Sequence, residues 1–141
     1  MNKEEIESFL RENKVGVLGT IRKDGRPNLS PVWYIYDERI IKIWLVMGHG
    51  NYENLARDNR VTFCVDKPEY PFKEVTISGR AEVTSDDVRE TALKIVRHYF
   101  EDDEKADKYM KEGLTTRGRA VIHIKSEDIF SWDGAHSLPK V

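Results

Sequence analysis

Glu74-Val75-Thr76-Ile77-Ser78-Gly79-Arg80-Ala81-Glu82-Val83 alternates Val75, Ile77, Gly79, Ala81 and Val83 with polar residues. A period of two puts the first set on one face and the polar set on the other, so the segment reads as a half-buried β-strand. Upstream, residues 61–66 form another β-rich run, separated from it by a turn region, 67–72, with Pro68 and Pro71. Ile40-Ile41-Lys42-Ile43-Trp44-Leu45-Val46-Met47 is apolar on both faces over most of its length, as a strand covered on both sides requires. Residues 15–21 and 29–36 are rich in β-branched and aromatic side chains and flank Asp24-Gly25, which is the pattern of a hairpin. Asp37-Glu38-Arg39 marks the break before the third strand, residues 119–125 alternate as a sixth, and 128–132 add a short edge piece.

Helices fill the intervals. Ile6, Phe9 and Leu10 recur at helical spacing behind Asn2 and Glu5, a capping-box pair that satisfies the first free amides. Asn51 caps a two-turn helix that buries Leu55 and Ala56. Thr84-Ser85-Asp86-Asp87 caps a longer one with the stripe Val88, Ala92, Ile95, Val96, Tyr99 and Phe100, and a further stretch holds Ala106, Tyr109 and Met110 before Gly113. Six strands with one helical excursion predict a mainly β fold with helices (α+β). The expected architecture is a six-stranded antiparallel β-barrel, closed on itself so that no edge is exposed, in a single domain over residues 1–141; the family resemblance given below makes it a split β-barrel. A chain of 141 residues leaves no large lumen inside such a barrel, so a ligand binds in an outer groove or between subunits.

The composition removes several classes of function. With 23 Lys+Arg against 25 Asp+Glu and a formal net charge of −2, there is no cationic surplus for a nucleic acid partner. No apolar run reaches the ~18–20 residues that span a membrane, and Met1-Asn2-Lys3-Glu4-Glu5 is unlike a signal peptide, so the expectation is a cytosolic (cytoplasmic) protein. Cys64 alone makes neither an internal disulfide nor a cysteine cage; within its apolar strand it reads as a small hydrophobe. His49, His98, His123 and His136 lack metal-ligand spacing, and neither a nucleophile elbow nor a P-loop occurs. The run Glu101-Asp102-Asp103-Glu104 is a solvated cap and turn.

One ordered series remains. Leu18-Gly19-Thr20, Asp24-Gly25-Arg26-Pro27, Ser30-Pro31-Val32-Trp33-Tyr34, Asn54-Leu55-Ala56-Arg57-Asp58-Asn59-Arg60-Val61, residues 75–83 and Trp132-Asp133-Gly134 follow one another along nearly the whole chain. In this order they resemble the flavin-binding split-barrel family of pyridoxamine 5′-phosphate oxidases, and within it the short flavin/deazaflavin oxidoreductases. The resemblance implies a homodimer with FMN, or alternatively a deazaflavin, at each of two interface sites built from both chains. It further implies that Leu29, Ser30, Pro31, Val32 and Trp33, with Val46, lie along the cofactor ring. An extended strand offers regularly spaced amides to the ring edge and alternate side chains as a flat bed. Trp132 would reach the cofactor from the other subunit. The plain alternative is that Trp33, Tyr34, Trp44 and Trp132 are packing residues.

The chain departs from the family where its oxidases hold the cofactor phosphate with Thr or Ser, Arg and Lys; the aligned positions are Leu45, Gly50 and Asn51. Gly48-His49-Gly50-Asn51 nonetheless precedes a helix, whose free amides and positive dipole end attract an anion. Gly50 would permit close approach, with His49, Asn51 and Asn54 as side-chain donors; otherwise the glycines only turn the chain and Asn51 only caps. Arg57, Arg60 and Arg80 are further sources of charge. The resulting expectation is an oxidoreductase that passes hydride or electrons to a small planar substrate, with no catalytic side chain because the cofactor carries the chemistry. Pyridoxamine 5′-phosphate oxidation itself is disfavoured, since Leu138-Pro139-Lys140-Val141 replaces the Arg-x-His tail that grips that substrate. The competing class is a non-enzymatic module that sequesters flavin or haem, or that has lost its cofactor.

Overall fold

The computed structural model describes residues 1–48, 50–113 and 118–135. Eleven elements follow one another: α1 (Lys3–Glu12), β1 (Val15–Ile21), β2 (Pro27–Trp33), β3 (Ile35–Asp37), β4 (Ile40–Val46), α2 (Gly50–Arg57), β5 (Arg60–Lys67), β6 (Lys73–Thr84), α3 (Val88–Phe100), α4 (Asp103–Gly113) and β7 (Arg119–Asp133). All strands pair antiparallel in one sheet of order β2-β1-β5-β6-β7-β4-β3. The two edge strands, β2 and β3, are separated in the chain only by Tyr34. One residue spans ~3.5 Å, so the sheet must curl until its edges meet at that point, which makes it a split barrel.

The fold is mainly β with helices, as expected, but it has seven strands in place of six. The run 29–36 divides at Tyr34, whose N–H donates to the Lys14 carbonyl at 3.1 Å as the last bond on the β1 side. On one side β2 pairs with β1; on the other β3 pairs with β4. Residues 119–133 form one long strand, so the separate edge piece is absent, and β2 and β3 do not pair with each other. The barrel is therefore split rather than closed.

Phe9, Leu18, Tyr34, Ile41, Ile43, Leu45, Val61, Phe63, Val75, Ile77 and Ile122 fill the barrel core. The inward alternation on β6 holds through Ala81 but not at Val83, which is 40% exposed. At Gly79, where the β6–β7 register shifts, a Cβ would overlap the Lys125 carbonyl; only glycine lets the two backbones approach this closely. The α1 capping box forms as expected, the Glu5 N–H donating to Asn2 Oδ1 over 2.8 Å. At α3 the expected side-chain cap is missing. The Thr84 hydroxyl instead accepts from the Asp86 N–H at 3.0 Å, and Asp87 takes a left-handed conformation before the helix begins. In α2 the buried pair is Asn54 and Leu55, with Ala56 exposed.

Candidate functional site

Strand β2 holds the decisive local chemistry. Pro27 and Pro31 carry no amide hydrogen, so its ladder bonds to β1 fall on the alternate residues Asn28, Ser30 and Val32. The main-chain N–H and C=O of Leu29, in phase with the prolines, then point out of the sheet at its open edge. Leu29 is 68% exposed.

The side chains of β2 divide accordingly. Asn28, Ser30 and Val32 sit opposite Thr20, Leu18 and Gly16 of β1, facing the interior, whereas Leu29, Pro31 and Trp33 face outward. On β4 the same alternation sends Ile41, Ile43 and Leu45 inward, and Trp44 and Val46 outward. Where the sheet splits, Pro31, Val32 and Trp33 meet Trp44 across a cleft of about 240 Å³ that Tyr109 of α4 helps to line. Trp33 is held there by aromatic neighbours. Tyr99 stacks on it with ring centroids 3.9 Å apart and planes at 14°, while Trp44 and Phe100 meet it edge-on at 6.1 and 5.6 Å.

At the other end of β2, α2 lies against β1 and the interior turns polar. Thr20 Oγ1 donates to Asn51 Oδ1 at 2.8 Å and accepts from Asn54 Nδ2 at 3.0 Å. Asn28 Nδ2 donates to Asn51 Oδ1 at 3.1 Å, and Asn51 Nδ2 to Ser30 Oγ at 3.2 Å. Arg57 Nη2 closes the chain on Asn54 Oδ1 at 2.6 Å. Thr20 and Asn54 are buried, so each bond offsets a desolvated polar group, and the network fixes α2 against β1 and β2. Asn51 lies inside the first turn of α2, its side chain spent on this network rather than on a cap. Gly50 opens the helix at φ 39°, with open space where a Cβ would stand.

Of the residues singled out from sequence, the structure brings Pro31, Val32 and Trp33 to the cleft and Ser30, Asn51 and Asn54 to the polar network. Leu29 flanks a larger groove of about 480 Å³ on the outer sheet face, which also takes in Gly19, Thr62, Ser78, Arg60 and Arg80. Val46 ends β4 two residues beyond Trp44, and Trp132 lies at the far end of β7, opposite Glu74. Leu45 is buried in the core and offers an anion nothing. His49 lies outside the described residues, as does the 138–141 tail. Sequence reading missed Asn28 and Tyr109. Asn28 had a signal, two polar side chains at strand spacing with Ser30, facing Thr20; Tyr109 had only its place in a helical stripe.

The profile of the pyridoxamine 5′-phosphate oxidase family matches residues 2–133. The chain belongs to that family. Among solved structures, a conserved hypothetical protein from Mycobacterium tuberculosis is 25% identical with a TM-score of 0.82, over 100% of this chain and 91% of that one. A protein described as an F420 reductase is 21% identical with a TM-score of 0.70, over 88% of this chain and 94% of its own. A haem-binding protein from Mycobacterium smegmatis is 20% identical with a TM-score of 0.68, over 94% of this chain and 57% of its own. Within the pyridoxamine 5′-phosphate oxidase family, the identities to these neighbours establish the shared fold.

Residues and cofactor chemistry are compatible. A flavin-type ring asks for a flat apolar bed and main-chain donors at its edge, which Pro31, Trp33 and the outward Leu29 amide offer. The start of α2 at Gly50, where among the described residues nothing would meet a Cβ, offers free amides to a phosphate. No helix among the described residues is long and apolar enough to cross a membrane.

Proposed function

We propose that the protein is a cytosolic flavin-type oxidoreductase that works as a homodimer, with FMN, or a deazaflavin, lying along the open edge of β2. A flavin-type cofactor, when bound, supplies hydride or electron transfer to a small planar substrate. This chain's residues do the rest. The Leu29 N–H binds the ring edge, and Pro31 and Trp33 bed the ring and exclude water. The first turn of α2 at Gly50 and Asn51 receives the phosphate in place of the family's charged anchors. Neutral donors give up about 1–2 kcal/mol each relative to charge-assisted ones, so the cofactor binds more weakly than in relatives that keep the anchors.

The single observation that carries this reading is the open edge of β2, where two prolines leave the Leu29 amide directed outward beside the cleft. The homodimer is supported by the cleft's size. About 240 Å³ is below the ~300 Å³ of an ordinary ligand pocket, so one chain offers half a site. A second support is the apolar side chains that the single chain leaves exposed, among them Val15, Leu29, Tyr70, Phe72 and Phe130. In the dimer, Trp132 reaches the cofactor of the other copy.

The test is spectroscopic. Protein titrated with FMN and with a deazaflavin should quench and shift the bound ring's absorption, and NADPH should bleach it in protein that also runs as a dimer. Failure to bind either ring would refute the proposal. A second reading, a haem-sequestering module, is favoured by the likeness to the mycobacterial haem-binding protein; a Soret shift on adding haemin, without flavin binding, would select it.

A further inference from the structure

Away from the cleft, α1, β3 and α3 enclose a separate pocket of about 290 Å³, lined by Arg11, Ile35, Tyr36, Asp37, Lys94 and His98. Its donors outnumber its acceptors. The only carboxylate in the lining, Asp37, is matched by Lys42 Nζ at 3.2 Å. Glu7, on the same helix as Arg11, pairs with Arg39 at 3.4 Å. Among the described residues Arg11 makes neither an ion pair nor a side-chain hydrogen bond, and the Tyr36 hydroxyl has no hydrogen-bond partner. Lys94 has only a 3.7 Å contact to the exposed Glu90, a surface pair of little strength. His98 is anchored by Nε2 on the Asn13 carbonyl at 3.0 Å, which holds its ring at the pocket wall.

We propose that this pocket binds a small oxyanion of the phosphate class. The guanidinium of Arg11, the ammonium of Lys94 and the phenol of Tyr36 face it from three elements, with the His98 ring as part of its wall, and hydrogen bonds to charged donors are the strong ones. Arg11 has no ion-pair partner among the described residues and Lys94 only the weak contact to Glu90, while the one carboxylate of the lining, Asp37, is already held by Lys42, so positive charge is in excess around this pocket. The volume exceeds that of bare phosphate and leaves room for a small organic group beside the oxyanion, against Ile35 and the Tyr36 ring. The site shares no lining residue with the cleft, and its occupancy is independent of the flavin reading.

The test is calorimetric titration of the full chain with inorganic phosphate and with glycerol 3-phosphate, at ionic strength fixed with sodium chloride. Saturable binding of one ion per chain is expected. Arg11→Gln and Lys94→Gln should each weaken it about tenfold while leaving the unliganded melting temperature unchanged, because both side chains are exposed. Tighter binding of the ester than of phosphate identifies the organic group as part of the ligand; equal binding identifies the free ion. Absence of saturable binding by either probe, or equal affinity in the Arg11→Gln/Lys94→Gln double variant, overturns the proposal. Flavin titration of the same double variant should be unchanged, so failure here and failure of the proposed function are read separately.

Discussion

The Tyr99 ring lies flat on the Trp33 indole at 3.9 Å, so the α3 helix occupies one face of the side chain that sequence alone would offer to a cofactor. Trp33 is thus both wall of the cleft and hub of the contact among α3, α4 and β4, touching Trp44, Phe100 and Tyr109 as well. Trp33→Ala should cost about 3 kcal/mol in urea unfolding, as large aromatic deletions do. Tyr99→Phe, which keeps the stack, should stay within about 0.5 kcal/mol. A parental midpoint for Trp33→Ala would show that the cluster is not part of the cooperative core.

Tyr34 donates its hydroxyl to the Leu10 carbonyl at 2.6 Å and ties α1 to the point where the two sheet edges meet. Burial pushes the phenol far above its ordinary value of 10.0. The folded pKa is raised, so its contribution is complete below pH 10 and is lost as pH rises beyond it, where only the unfolded chain ionises readily. Tyr34→Phe leaves the carbonyl unpaired and should cost about 1–2 kcal/mol at pH 7. The variant should also show a shallower alkaline loss of stability than the parent between pH 10 and the alkaline limit of the measurement.

Asn54 links Thr20 to Arg57 inside the polar network. Asn54→Leu strands the buried Thr20 hydroxyl and the Arg57 fork and should cost about 2–3 kcal/mol. Arg57→Ala, at an exposed position, should cost under about 1 kcal/mol. Thermal melts of the two variants compare them directly; equal losses would mean that the network is not what holds α2.

Arg60 grips Asp58 through Nη2 at 2.7 Å and holds its carboxyl at about 2, below the ordinary 3.8. A depressed carboxylate stabilises above its unfolded pKa and loses that contribution as pH falls through the folded one. The difference in melting temperature between parent and Asp58→Asn should therefore be constant above about pH 5 and shrink between pH 4 and pH 2. A difference that persists unchanged to pH 2 would assign it to backbone effects at the β5 entry.

A methyl group at residue 79 would meet the Lys125 carbonyl where β6 and β7 slip register. Gly79→Ala should destabilise by about 3 kcal/mol or prevent folding, read as loss of soluble protein or of the cooperative transition.

Most of this architecture is legible because period-two patterns are strong where one face is buried, as on β6 and along Ile41, Ile43 and Leu45. The capping box at Asn2 is equally local, and it forms as read. What escaped was decided by distant partners. The break at Tyr34 depends on β2 and β3 taking different partners, β1 and β4. The burial of Asn54 in place of Ala56 depends on Thr20, and the tyrosine wall of the cleft on how two helices fold back over β2 and β4. No window of neighbouring residues contains that information. The family itself was legible because the resemblance follows the order of motifs along the whole chain rather than local pattern.

Pro27 and Pro31 also determine what the open edge refuses. A foreign strand docking on β2 would find acceptors at the outward positions 27, 29, 31 and 33 but donors only at Leu29 and Trp33, since the other two are imino acids. Fibril-type stacking needs an unbroken row of both. The protein can therefore leave this border uncovered without inviting another polypeptide to zip onto it.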